Sequence, residues 1–438
     1  MGAAEPDVVV AGVLLVALAP VVLAAPPRWA VLAWLVMTNL DATGSGQPTN
    51  LEVGWLNAFK GLVLPAWLVW RLRQAGGDVH ASIGGRCWAA LALYAGLAAT
   101  WSVFPLAGAK LALAMGGILL AAMALERAAR AGLLDSRTIL SFMLATLVLG
   151  VLQTALLGGG SFGYAGRGMP ERFTSFVAAQ QYAALLTALL AWVLWVPHMS
   201  PVRLNASVLA LLAALAVNGS RTWSAGALLV LAVRALLHRH RTDLLRIAAA
   251  IAILASVPAV RRGLQAPSPA EPANRLTATA SALIRGEDRP DGMGLGTARF
   301  RLRIYQGVWR AVQEGGVRPL VFGHGSASGG KLALELFPWA FRTETLDAAR
   351  AIHNEWLRVL YEWGLVGLAL WLAVLVSLAA LAWKARRNEA GAALLSYLPA
   401  LGLGLGTENI LDGAGNAVTA GLLVLLALVL ARYKEAEA

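Results

Sequence analysis

The sequence predicts an all-α fold, a polytopic transmembrane bundle of about twelve helices with a partly helical loop outside the membrane. Two observations carry this. The chain is 58% hydrophobic and 14% charged, with a mean hydropathy of +0.65, where a soluble protein would carry about 25% charged residues. Apolar runs of about 20 residues recur along nearly the whole length, which is what a helix needs to cross a hydrocarbon core of about 30 Å. A helix also pairs its own backbone donors and acceptors, so it is the form such runs take in lipid.

Taken in order, candidate spans lie at 8–24, 29–43, 55–71, 88–106, 108–126, 138–157, 177–196, 202–218, 222–238, 243–260, 355–383, 392–411 and 416–432. The first run, VVVAGVLLVALAPVVLA, follows Glu5 and Asp7 and lacks a basic leader region, so it reads as a retained helix. The second span is short, and the first two together make fewer than two full crossings, which leaves twelve or thirteen in all. The chain divides into a first set of helices over 1–260, a long polar segment over 261–350 and a last set over 351–438. Within the polar segment, helices are expected near 298–314 and 327–340. A connector this long is more than a passive loop.

The formal net charge of +12 suggests nucleic acid only superficially. Lys and Arg cluster in short segments between apolar runs, where they set topology and meet anionic membrane lipid; no nucleic-acid partner is expected. RLRQAGGDVHASIGGR, ERAARAGLLDSR, RALLHRHRTDLLR and KARRNE are therefore assigned to the inner side, with the C-terminus. The alternating loops, including 158–176 and the segment 261–350, face outward. Cys87 is the only cysteine, which excludes an internal disulfide and a multi-cysteine metal site. No outward group of His or carboxylate residues has metal-ligand spacing, and no phosphate-binding Gly-Lys-Ser/Thr loop occurs, so neither a metal nor a cofactor is expected.

Against that topology, Lys110, Arg172, Arg221 and Arg301 fall on the outward side, where the bias disfavours them and burial near hydrocarbon is costly. Each also has a plain reading. Lys110 in AGAKLALAMGG and Arg172 in ERFTSFVAAQQYAALL could anchor spans at the interface. Arg221 in NGSRTWSAG could snorkel beside a helix cap formed by Ser220 or Thr222. Arg301 in ARFRLRIYQGVW belongs to an amphipathic helix whose apolar residues Phe300, Ile304, Val308 and Val312 recur at helical spacing. Arg301 could be part of that helix's solvated basic face, and it neighbours Tyr305 one turn on. His353 and Asn354 stand where AIHNEWLRVLYEWGLVG turns from polar to apolar. A helix N-terminus disfavours a cation, so His353 should be a neutral imidazole near pH 7, able to accept a proton. Its alternative is a capping or interfacial histidine. His324, in the glycine-rich VFGHGSASGG, is a second candidate.

Four of these stretches resemble the O-antigen ligases (the WaaL type) within the wider family of O-antigen ligases, O-antigen polymerases and related oligosaccharyltransferases. RFTSFVAAQQYAALL is similar to the family's Arg-x-x-Gly-x-Phe segment, with Ser175 in place of the glycine and Gln180-Gln181 in place of Pro-Asn. NGSRTWSAGALL resembles its Ser/Thr-Arg-Ser/Thr segment and places Arg221. RLRIYQGVWRAVQEGGVRPLVFGHG resembles its Arg-x-x-x-Trp/Tyr segment and places Arg301 and Tyr305. IHNEWLRVLYEWGLVG resembles His-Asn/Ser-x-x-Leu with downstream glycines and places His353 and Asn354. The resemblance covers about residues 90–432.

This resemblance implies a GT-C type glycosyltransferase in the bacterial inner membrane with a periplasmic site, inverting and metal-independent. It implies an undecaprenyl-diphosphate-linked glycan as donor and a lipid A–core sugar hydroxyl as acceptor, in lipopolysaccharide biosynthesis. Arg221, Arg301 and His353 take the catalytic positions. Lys110, Arg172, Tyr305, Asn354 and His324 take substrate-binding ones. A polymerase of the same family, using a second lipid-linked glycan as acceptor, is the nearest alternative. A transporter of lipid-linked glycans is the alternative of another class, disfavoured because the candidate residues gather on one side and no inverted repeat is evident.

Overall fold

The computed structural model describes residues 6–41, 56–73, 83–157, 173–177, 179–196, 199–238, 241–264, 296–336, 352, 354–407 and 417–435. Among these residues every regular element is helical, apart from one isolated parallel bridge, Leu40 to Phe176. The helices are α1 (Pro6–Ala24), α2 (Pro27–Met37), α3 (Leu64–Arg73), α4 (Ile83–Ala98), α5 (Pro105–Arg130), α6 (Ser136–Leu157), α7 (Ala179–Trp195), α8 (Pro201–Asn218), α9 (Arg221–His238) and α10 (Arg241–Leu264). There follow α11 (Gly296–Glu314), α12 (Val317–Phe322), α13 (Gly329–Leu336), α14 (Glu355–Lys384), α15 (Glu389–Leu405) and α16 (Ala417–Glu435). Four of them, α5, α6, α8 and α14, are long and apolar enough to cross a membrane; α2, α7, α15 and parts of α1 and α16 form shorter apolar helices.

Local chemistry sets the starts. Proline opens α2, α5 and α8, where its fixed φ suits the first turn and its missing N–H costs nothing. Asn388 caps α15 by accepting from Gly391 N at 2.7 Å. A π-helical turn over Phe59–Val63 precedes α3.

The centre of the bundle is α7, buried on nearly all sides from Ala179 to Leu194. Such all-round burial is why its sequence is apolar without a polar stripe. Helices α8, α9, α15 and α16 pack around it. Small residues let them approach: a Cβ on Gly226 would lie 3.1 Å from that of Ala400, and one on Gly421 would lie 2.6 Å from that of Ala188.

The expected span 355–383 is one chain segment but two helical pieces. Gly364 has φ 63° and ψ −161°, which breaks α14 after Trp363. An L-residue there would be strained, and its Cβ would meet Val321 O at 2.4 Å. The freed carbonyls do not go unpaired. Tyr361 O accepts from His324 N and Glu362 O from Gly325 N, both at 2.9 Å, while Tyr94 Oη donates to Trp363 O at 3.3 Å and to Phe322 O at 3.0 Å. Irregular backbone inside a bundle survives only with such pairing. The helix expected near 327–340 is α13, Gly329–Leu336, with 337–340 outside the described residues; α12 and the turn 323–328 precede it. That turn runs against α14 and bonds α4 through Ser326 N to Ala98 O and Ser326 Oγ to Ala95 O.

The described part of the polar segment, 296–336, packs on the first half of α14. Ile304, Val308 and Val312 of α11 share a small apolar core with Leu332, Ile352 and Tyr361. The first nine residues of α14 thus belong to this cap as much as to the span that follows.

Candidate active site

Three separate parts of the chain meet at a single turn, Gly406–Thr407, which follows α15. Asn354 donates from Nδ2 to Gly406 O at 3.1 Å, while its Oδ1 accepts from Leu357 N at 3.1 Å and so caps α14. Tyr305 Oη, from α11, reaches the same Gly406 carbonyl at 3.4 Å. Thr407 Oγ1 donates to Thr222 Oγ1 at 3.1 Å, which fastens the turn to the start of α9. Arg221 is the residue beside Thr222, and Arg301 is one helical turn before Tyr305; both are half-buried and engaged with neighbours. On the same helix Arg303 and Arg310 are exposed. A tyrosine, an asparagine and two threonines therefore meet at one turn, and Arg221 and Arg301 lie on the helices α9 and α11 that supply two of them.

The turn before Arg221 is itself anchored. Asn218, buried at the end of α8, donates to Phe173 O at 2.8 Å and Ala179 O at 3.0 Å, and accepts from Ser220 N at 3.2 Å. This joins the segment Phe173–Val177 to Arg221's helix. From the other side the end of α2 grips the same segment: Asp41 N donates to Phe176 O at 2.8 Å and Ser175 Oγ to Asn39 O at 3.3 Å. Lys60, nearly fully buried, donates to Leu40 O, and Asn57 Nδ2 to Asp41 Oδ1 at 2.6 Å. Arg172 immediately precedes this segment but lies outside the described residues, as does His353, the residue before the Asn354 cap.

Two expected residues sit elsewhere. Lys110 is exposed in the first turns of α5 and shares no hydrogen bond with the Gly406–Thr407 turn; two residues earlier, Gly108 packs on Ser326. His324 stacks on Tyr361 with ring centroids 4.3 Å apart and planes at 20°. Burial pushes its imidazole below the ordinary value, so it is neutral near pH 7. It belongs to the α14 break, and no hydrogen bond joins it to the Gly406–Thr407 turn among the described residues.

Sequence reasoning missed Gly406, Thr407 and Asn218 as participants. It also passed over Glu355, Arg358 and Glu362, all at most 1% exposed. Arg358 lies 3.4 Å from Glu355 and 3.7 Å from Glu362. Their spacing at i, i+3 and i+7 in a strongly apolar helix is a signal that was available.

An apolar cleft runs between α4, α5, α14, α15 and α16. Leu405 and Thr419 line its end beside the Gly406–Thr407 turn, Trp371 and Leu375 its length, and Trp88 and Glu126 its far end. Among the described residues no group of three or more His, Cys, Asp or Glu side chains could hold a metal ion.

Apolar helices of spanning length, with hydroxyl and amide side chains meeting at the turn after α15, define a polytopic membrane protein with a polar site at its edge. Residues 206–372 match the family model described as O-antigen ligase. Over this stretch the chain is similar to the O-antigen ligase family, whose members are glycosyltransferase-like enzymes. The matched stretch runs from α8 into α14 and holds Arg221, Arg301, Tyr305, His324, His353 and Asn354, while Lys110 and Arg172 precede it. No curated protein matches the chain.

Proposed function

We propose that the protein is an O-antigen ligase of GT-C type. It transfers a glycan from undecaprenyl diphosphate to a sugar hydroxyl of lipid A–core, on the periplasmic face of the bacterial inner membrane. The observation that carries this reading is the convergence of Arg221's helix, Arg301's helix and the Asn354 cap on the Gly406–Thr407 turn.

The chemistry needs two things. Breaking the bond between the anomeric carbon and the phosphate oxygen leaves negative charge on the diphosphate. Arg221 and Arg301 are suited to bind it through bidentate hydrogen bonds and to stabilise it as it departs, without losing their own protons. Arg172 and Lys110 add positive field. The acceptor hydroxyl must lose its proton as its oxygen attacks the anomeric carbon from the face opposite the diphosphate, which inverts the configuration. His353, next to the first turn of α14, takes that proton; the helix N-terminus keeps its imidazole neutral beforehand. Asn354 holds the turn in register rather than the acceptor, since both ends of its amide are already engaged. The polyprenyl tail fits the apolar cleft that opens beside Leu405 and Thr419. With two arginines for the leaving diphosphate, no divalent ion is required.

The test is transfer by the purified, membrane-reconstituted protein. Donor is supplied with lipid A–core, with a second lipid-linked glycan, or with a peptide. Glycan appearing on lipid A–core alone is the expected result. Transfer only to the second lipid-linked glycan would make the protein a polymerase. Movement of donor across the bilayer without transfer would make it a transporter.

A further inference from the structure

We propose that Glu362 is a positioning residue. It latches the 326–329 turn onto the first half of α14 and thereby sets the direction in which that half presents Asn354 to the Gly406–Thr407 turn. This rests on the function proposed above for the site, but its physical basis is independent of it.

The break at Gly364 is the starting point. Continuity with the long apolar part of α14 cannot orient Glu355–Trp363, because the helix is interrupted between them. Something else must. Glu362 Oε2 accepts from Ala327 N at 2.9 Å and its Oε1 from Gly329 N at 3.2 Å, one carboxylate holding two main-chain donors. Ala327 takes a left-handed conformation, φ 65°, to present its N–H there. Arg358, one turn earlier on the same face, lies between Glu362 and Glu355 and supplies the counter-charge. Apolar side chains of similar size would fill such a place at no greater cost in stability. A carboxylate with two N–H partners and an arginine is what a fixed direction needs.

The geometry gives this latch leverage. Glu362 and Asn354 are eight residues apart, about 12 Å along a helix. A tilt of roughly 5° about the latch moves Asn354 by about 1 Å over that length. A 1 Å misplacement at a reacting centre can cost about 10²-fold in rate. Donor binding is assigned to Arg221 on α9 and Arg301 on α11; α11 also packs on Tyr361, so donor affinity reports whether the whole cap has moved.

The experiment uses the full chain in nanodiscs, with undecaprenyl-diphosphate-linked glycan and lipid A–core as probes. Two variants break the latch differently. Glu362→Gln keeps the shape but can accept from only one of the two N–H groups. Gly329→Ala changes no charge, and its methyl would press on Ile352 at 2.6 Å and on Glu362 Oε1 at 3.0 Å. For both, kcat should fall about 10²-fold with donor affinity close to wild type. Hydrogen exchange should quicken in 354–360 as well as in 326–329. Faster exchange confined to 326–329, or a lower melting temperature with wild-type kcat, would overturn the proposal and leave Glu362 a structural residue. If the wild-type protein transfers no glycan, the functional reading fails, and the exchange data alone still decide the latch.

Discussion

Asn354 separates two contributions that most substitutions would confound. Its Oδ1 caps α14 through Leu357 N and its Nδ2 bonds Gly406 O. Losing a side-chain N-cap costs about 1 kcal/mol, and a hydrogen bond between neutral groups contributes about 1 kcal/mol net. Asn354→Ala removes both, so about 2 kcal/mol of stability should go. Asn354→Asp keeps the cap, and the helix N-terminus favours its charge by about 0.3–1 kcal/mol. It nevertheless loses the donor and sets a carboxylate against a carbonyl 3.1 Å away. Its stability should therefore lie between those of wild type and Ala. Turnover should not follow stability: Asp should be as impaired as Ala, because each releases the Gly406–Thr407 turn. Thermal unfolding in detergent, paired with single-turnover transfer, measures both. Wild-type turnover in Asn354→Asp would refute the role given to the Gly406 contact.

Three further outcomes are expected. Arg221→Lys and Arg301→Lys should each lose most activity although charge is kept, because lysine cannot reproduce a bidentate fork, while Arg303→Lys on the exposed face of α11 should be mild; equal losses in all three would remove the assigned roles. Gly364→Ala should cost a few kcal/mol or prevent folding, since it combines a positive φ with a contact of 2.4 Å to Val321 O, and normal yield and melting would contradict the break in α14. Transfer should persist in EDTA; loss in chelator with recovery on adding a divalent ion would show that the arginines do not suffice.

The helical bundle is legible in the sequence because lipid makes a single strong demand, a long apolar run, and α5, α6, α8 and α14 answer it. Departures from simple spans are harder to read. Nothing in EWGLVG separates a glycine that packs a helix face from one that breaks the helix, since the difference lies in the 323–328 turn that pairs with the freed carbonyls. The helix expected near 327–340 starts only at Gly329, because the turn before it is held by partners from α4 and α14. At the site, Arg221, Arg301, Tyr305 and Asn354 could be picked out by residue type and place in the chain. The turn that Tyr305 and Asn354 reach could not, because Gly406 contributes a carbonyl, which every residue has. Asn218 was hidden likewise, because its partners are main-chain atoms of Phe173, Ala179 and Ser220. Lys110 and His324 show the converse: a suitable side chain on the expected side of the membrane need not be carried to the same turn.

The central claim, that His353 takes the proton of the acceptor while the arginines hold the donor, is tested most directly by His353→Ala. Donor affinity and the rate of transfer per bound donor should be measured on the same preparation. Turnover should fall about 10²–10⁴-fold, the range for loss of a general base, with donor affinity nearly unchanged. Collapse of donor affinity at a normal rate per bound donor, or no change in either, would contradict the assignment.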